Sequence, residues 1–120
     1  MMSYIDEVGE GSTDRVARIQ ALNDHFRRTM HGGRLVVTNG VRSLGHSQLS
    51  RLVQQVQEHS DFGANNDPHG EHDFGAIDFN GRRVFWKIDY YDEELKYGSE
   101  DPSDPGITTR VLTIMLAEEY

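Results

Sequence analysis

The stretch HDFGAIDFNGRRVFWKIDYYD, residues 72–92, constrains this chain more than any other. Two runs rich in β-branched and aromatic residues flank Asn80-Gly81, the dipeptide that best tolerates the two positive φ angles of a type I′ hairpin turn. That turn predicts one register: Phe79 opposite Arg82, Asp78 opposite Arg83, Ile77 opposite Val84, Gly75 opposite Trp86. Side-chain alternation then gives a core face of Ile77, Phe79, Val84, Trp86 and Ile88. The other face reads His72, Phe74, Ala76, Asp78, Arg83, Phe85, Lys87 and Asp89. Gly75 leaves room for the indole across from it. The same register puts His72 opposite Asp89, next to the Phe74–Lys87 pair.

Around the hairpin the chain reads as a single α+β domain over residues 13–120, preceded by a flexible tail over residues 1–12. Val16, Ile19, Leu22, Phe26 and Met30 recur at helical spacing from Thr13 or Asp14, and His31-Gly32-Gly33 stops that helix. LVVT at 35–38 reads as a strand and Asn39-Gly40 as a turn. A second helix is predicted from Ser47 to His59, with Leu49, Leu52, Val53 and Val56 as its apolar stripe. TTRVLTIMLA, residues 108–117, favours a strand by its Thr, Val and Ile content, with a helix as the alternative. Leu112, Ile114 and Leu116 share one side of it and Val111, Thr113 and Met115 the other, the pattern of a central strand covered on both faces. The expected fold is two helices packed on a small, mostly antiparallel sheet with a central β-hairpin.

Charge narrows the partners. Residues 1–66 carry seven acidic and seven basic groups, whereas residues 67–120 carry 13 acidic against 5 basic, so the net charge of −8 lies in the second half. Such a field repels a nucleic-acid backbone and suits a protein partner with a basic surface, or a cation. The chain has no cysteine, which removes disulfides and thiolate chemistry. Its start is polar and acidic and its apolar runs are short, so a cytoplasmic protein without a membrane segment is expected. No P-loop, dinucleotide fingerprint, HExxH or EF-hand loop occurs.

The polar constellation centres on NDPHGEHDFG, residues 66–75. His69, His72 and Asp73 offer nitrogen and oxygen ligands for one divalent metal ion. Without a metal, His72 paired with Asp89 can activate water, with Lys87 steadying an anion and Glu71 close by. The same residues also suit a plain structural role: Asn66, Asp67 and Asp73 as turn caps, and His72–Asp89 as a cross-strand ion pair. A binding surface is the other candidate, from Tyr91, Asp92, Asp101, Asp104 and Arg110, in which Arg110 either pins the DPSDPG loop or receives an anion.

GGRLVVTNGV, NDPHGEHDFG, VFWKIDYYD and DPSDPGITTRVLTIMLAEEY closely resemble a family of small uncharacterised bacterial proteins, a domain of unknown function common in alphaproteobacteria and on plasmids. The resemblance covers roughly residues 22–120. It implies that Asn66, Asp67, Gly70, Glu71, His72, Asp73, Trp86, Lys87, Asp89, Tyr90, Asp92, Asp101, Asp104 and Arg110 belong to a family signature, and it carries no catalytic assignment. A mobile-element setting implies two kinds of job. One is a small acidic protein-binding module acting on a host or mobile-element nucleic-acid-processing or defence protein. The other is a small hydrolase, metal-dependent or using a His–Asp pair to activate water. The lopsided charge favours the binding module, and the sequence leaves open whether the chain is an enzyme.

Overall fold

A computed structural model describes the backbone of residues 4–120 and the side chains from residue 14 onward. The order is α1 (Tyr4–Thr29), β1 (Gly33–Val37), α2 (Asn39–Arg42), α3 (His46–Glu58), β2 (Phe74–Phe79), β3 (Arg82–Tyr91) and β4 (Thr109–Leu116), closed by a short 3-10 turn at Ala117–Glu119. The backbone of α1 begins upstream of Thr13, where the periodicity starts the helix. The expected tail over residues 1–12 lies outside the residues whose side chains are described.

The hairpin forms in the predicted register, from Phe79↔Arg82 to Phe74↔Lys87. Asn80 and Gly81 take φ angles of 51° and 81°, the left-handed pair that this turn requires. Gly75 sits against Trp86, where a Cβ would overlap the indole Nε1. Residues 109–116 are a strand, and it is central: the sheet order is β1-β4-β3-β2. β4 runs antiparallel to β3 but parallel to β1, so the sheet is mixed.

Two expectations need correction. Three α-helices are present among the described residues, because Asn39-Gly40 does not turn the chain back: Thr38 accepts a hydrogen bond from the Val41 N–H and caps α2. The second face of the central strand is covered less completely than the first: Met115 is buried there, but Val111 and Thr113 are only partly so. The core joins Phe26 of α1, Val41 of α2 and Leu52 and Val56 of α3 to Trp86, Ile88, Leu112, Ile114 and Leu116, all on one sheet face. The opposite face carries Phe74, Phe85 and Tyr120, with ring centroids 5.3 to 6.2 Å apart.

The buried stripe of α1 is also more polar than its apolar repeat indicates. Ile19 and Phe26 are buried as expected, but Asn23 between them and Arg27 just after them are fully buried too. Burying such groups costs free energy unless they find partners, and those partners define the candidate site.

Candidate functional site

The 66–75 segment divides its side chains between the two faces of the sheet. β2 starts only at Phe74, although the Ile88 N–H still donates to the Asp73 carbonyl at 2.8 Å. One residue earlier, His72 has φ 56°, a left-handed conformation that non-glycine residues adopt at a cost. The bend is held by the His72 N–H donating to Asp67 Oδ1 at 3.1 Å. It breaks the strand alternation and turns the imidazole away from Asp89, toward α1.

There His72 Nδ1 lies 2.9 and 3.1 Å from the two oxygens of Asp24. The ring stacks on Phe62 with centroids 3.9 Å apart and planes 8° from parallel. Its Nε2 faces Asp67 Oδ2 at 3.7 Å, beyond direct hydrogen bonding. An ionised carboxylate only accepts, so Asp24 assigns the proton to Nδ1 and leaves the Nε2 lone pair free in the neutral ring. That is the tautomer a general base at Nε2 needs.

Asp24 also accepts from Arg27 Nη1 at 2.9 Å. Burial alone raises the Asp24 carboxyl, but hydrogen bonds from Arg27 and His72 outweigh it and hold the group below its usual value. The Arg27 guanidinium lies 5.2 Å from the Phe62 ring centroid and 5.4 Å from that of Trp86, and it donates to the His59 carbonyl. Burial, with help from the Arg27 and His72 charges, holds His59 below its ordinary value.

A second buried network lies beside this one. Arg110 Nε donates to Asn23 Oδ1 at 2.7 Å, Asn23 donates to the Glu71 carbonyl and to the Tyr90 hydroxyl, and Tyr90 donates to Glu71 Oε1 at 2.6 Å. Burial and the Glu71 carboxylate push the Tyr90 hydroxyl far above its ordinary value, which keeps it a neutral donor. Arg110 also donates to the Pro102 carbonyl, which fastens the acidic loop to the sheet.

The predicted residues therefore separate. His72 and Glu71 face α1, whereas Lys87 and Asp89 face the outer side of the sheet and pair with each other at 2.7 Å. The expected His72–Asp89 pair does not form, because the left-handed bend at His72 intervenes. His69 and Asp73 line an outer cavity with Lys87 and Asp89, so the proposed metal ligands His69, His72 and Asp73 are not brought together. Among the described residues, no group of three or more His, Cys, Asp or Glu side chains is placed to hold a metal ion.

The proposed binding residues divide as well. Arg110 is 2% exposed, and its Nε and Nη2 are committed to Asn23 and Pro102. Asp101 bonds Arg15 and the Ser103 hydroxyl. Asp104 and Asp92 cap their own turns, at Gly106 and at Glu94 and Lys96. Tyr91 ends β3 opposite Thr109. Asp92 also borders a hollow with Glu93, Tyr97, Glu100 and Ile107.

Sequence reasoning missed Asn23, Asp24 and Arg27. Their signal was available: Asn23 and Arg27 follow Ile19 at steps of four, in the middle of the apolar stripe. Polar residues at such positions are either exposed by a turn of the stripe or buried in a network.

Among the described residues, no helix is long and apolar enough to cross a membrane. No match was found among curated proteins or among solved structures. A family model does match, over residues 37–119, which takes in Phe62, Asp67, His72 and Arg110 but not α1. By that match, the chain belongs to the family described as Protein of unknown function (DUF3768).

Proposed function

We propose that this protein is a small hydrolase in which His72, oriented by Asp24, activates water. The observation that carries this reading is the hold of Asp24 on Nδ1 through both carboxylate oxygens, at 2.9 and 3.1 Å. A histidine fixed in this way, stacked on Phe62 and bent into a left-handed backbone, is more constrained than a surface ion pair requires. In the proposed step His72 Nε2 takes one proton from a water that Asp67 Oδ2 orients, and the water oxygen attacks the carbonyl or phosphoryl centre of an ester. Asp24 stabilises the imidazolium, which returns the proton to the leaving oxygen as the ester C–O or P–O bond breaks and the neutral imidazole is restored.

Turnover of activated esters and phosphoesters by the wild-type protein and by His72→Gln tests the reading. A general base of this kind contributes about 10²- to 10⁴-fold, and the variant should lose that factor while remaining folded. Equal rates for the two proteins on every substrate, or no turnover by either, would refute it. The metal-dependent form of the reading predicts that a chelator abolishes turnover and that a divalent ion restores it.

A protein-binding role is the second reading, favoured by one observation. Asp92, Glu93, Glu100, Tyr97 and Ile107 border a hollow of about 390 Å³, with Tyr97 74% exposed. An exposed aromatic among acids suits a basic partner surface. Salt-sensitive binding of a lysine-rich peptide, lost in a Glu93→Gln/Glu100→Gln variant, would support it, and no binding would remove it.

A further inference from the structure

The charge around His72 decides which ester it can receive. Asp24 holds one side of the imidazole, and Asp67 Oδ2 lies 3.7 Å from Nε2 on the other. Asp67 Oδ1 accepts the His72 N–H, whereas Oδ2 has no hydrogen-bond donor among the described residues, although the side chain is only 5% exposed. Glu71 faces the same, α1-facing side of the sheet, where its Oε1 accepts from Tyr90. Asp73 borders the outer cavity, but it stands opposite Ile88, a core residue, and its charge neighbours are Glu71 and Asp67, so its carboxylate belongs to this side. Burial and repulsion from those two acids hold the Asp73 carboxyl above its ordinary value, against a smaller effect of His69.

The guanidiniums beside these carboxylates do not reach the surface. Arg27 is fully buried and pairs with Asp24. Arg110 is 2% exposed, with Nε and Nη2 committed to Asn23 and Pro102. With the imidazole neutral, Asp24, Asp67, Glu71 and Asp73 outweigh Arg27 and Arg110, and the site is negative. A phosphoester brings negative charge of its own, and its transition state needs cations or donors at the phosphoryl oxygens. Here it would meet like charge and no exposed arginine. A carboxylic ester with a positive group near the ester bond meets the opposite field, and that group also offsets the negative charge on the tetrahedral oxygen.

We propose that the substrate of this site is a carboxylic ester bearing an ammonium group near the ester bond, with Asp67 Oδ2 as its nearest counter-charge and the Glu71 and Asp73 charges in support. The proposal rests on His72 as the general base. Asp67 Oδ2 has lone pairs for both the attacking water and the ammonium group. The water oxygen bonds to the acyl carbon, the C–O bond breaks, and the alcohol leaves with the proton that His72 returns; the acid releases its remaining proton to solvent.

Two para-nitrophenyl esters test the substrate class: that of gamma-butyrobetaine, and its neutral isostere with tert-butyl in place of trimethylammonium. Para-nitrophenyl phosphate is the anionic probe. Relative to the uncatalysed rates, wild-type kcat/KM should be about tenfold or more higher for the cationic ester than for its isostere, with no turnover of the phosphate. Glu71→Gln and Asp73→Asn leave the dyad in place, and each should narrow that ratio about threefold. Added salt should narrow it as well. A neutral ester hydrolysed as fast as the cationic one, with both rates lost in His72→Gln, overturns the substrate class and leaves the general base standing. Preferred hydrolysis of the phosphate, again lost in His72→Gln, overturns it in favour of a phosphoester. Equal rates in wild type and His72→Gln, or no turnover of any probe, overturn the substrate class and the general base together.

Discussion

Asp24 Oδ1 receives two cationic or polarised donors at the same distance, Arg27 Nη1 and His72 Nδ1, each at 2.9 Å. Arg27 is fully buried, whereas the side chain of His72 keeps 22% of its exposure. One carboxylate thus neutralises a guanidinium inside the protein and orients an imidazole at its edge. Structure and chemistry are coupled at this atom, and substitutions on either side of it should separate them.

Asp24→Asn should be the more damaging change. It leaves the Arg27 charge buried without its anion, and breaking a buried pair from one side costs about 3 kcal/mol or more. His72→Gln leaves the Arg27–Asp24 pair in place and should cost about 1 kcal/mol, the scale of one hydrogen bond. Urea denaturation with unchanged m values reads both. If Asp24→Asn proves as stable as His72→Gln, Arg27 does not depend on Asp24.

The pH dependence of stability follows from His59 and Asp24. Burial lowers the His59 value in the folded state, so at mildly acid pH the unfolded chain binds the extra proton more readily. Stability should therefore decline as the pH falls through 6.5, the ordinary histidine value. Asp24 is also held low, so a further loss is expected as the pH falls below 3.8. Asp73 works the other way: its raised value means that the folded state takes up its proton first, which favours folding as the pH drops toward 3.8. The histidine step is thus read most cleanly between neutral pH and about pH 5. Thermal melts over that range should show it, and His59→Gln should flatten it. A variant that retains the full slope would assign the step elsewhere.

The hairpin register was legible because it depends on two adjacent residues. Asn80-Gly81 determines the pairing locally, and each pair from Phe79↔Arg82 to Gly75↔Trp86 follows by counting. The limits of α3 and the inward set Leu112, Ile114 and Leu116 were legible for a similar reason, as short-range periodicity. The His72–Asp89 pair failed because counting assumes an unbroken strand, and the bend at His72 is held by Asp67, five residues away, and by Asp24 on another element. The parallel β1–β4 pairing joins segments more than 70 residues apart and leaves no local trace. The hairpin face was read from local rules, but the site beside it is built from long-range contacts.

Arg110 is the next test of those contacts. Its Nε donates to Asn23 and its Nη2 to the Pro102 carbonyl, a fork that a lysine ammonium does not reproduce. Arg110→Lys should lose about 2 kcal/mol, because Asn23 Oδ1 is left without its donor in a buried setting. The Asp101–Ser103 turn should also loosen, since the arginine ties its Pro102 carbonyl to β4. Hydrogen exchange at the Ser103 and Asp104 amides reports this directly. Protection equal to the wild type in Arg110→Lys would show that the turn holds without the arginine.

Gly75→Ala tests whether the hairpin and the dyad form one mechanical unit. A Cβ at Gly75 would overlap Trp86 Nε1 and come within 2.9 Å of His59 Cε1. Trp86 is fully buried, so the indole cannot swing into solvent, and overpacking of this kind costs about 1–3 kcal/mol. The displacement should also spread. Trp86 meets His59 and Phe62 edge to face, with centroids 5.4 and 6.1 Å away, and Phe62 is the ring on which His72 stacks. Gly75→Ala should therefore shift tryptophan fluorescence and perturb the His72 ring resonances, although it touches neither His72 nor Asp24. Gly63→Ala is the control: its nearest neighbour, Asn66 Oδ1, lies 3.8 Å from the added carbon, and it should change stability by less than about 0.5 kcal/mol. Unperturbed His72 resonances in a destabilised Gly75→Ala protein would mean that the aromatic cluster ends at Trp86 and that Asp24 and Asp67 alone position the imidazole.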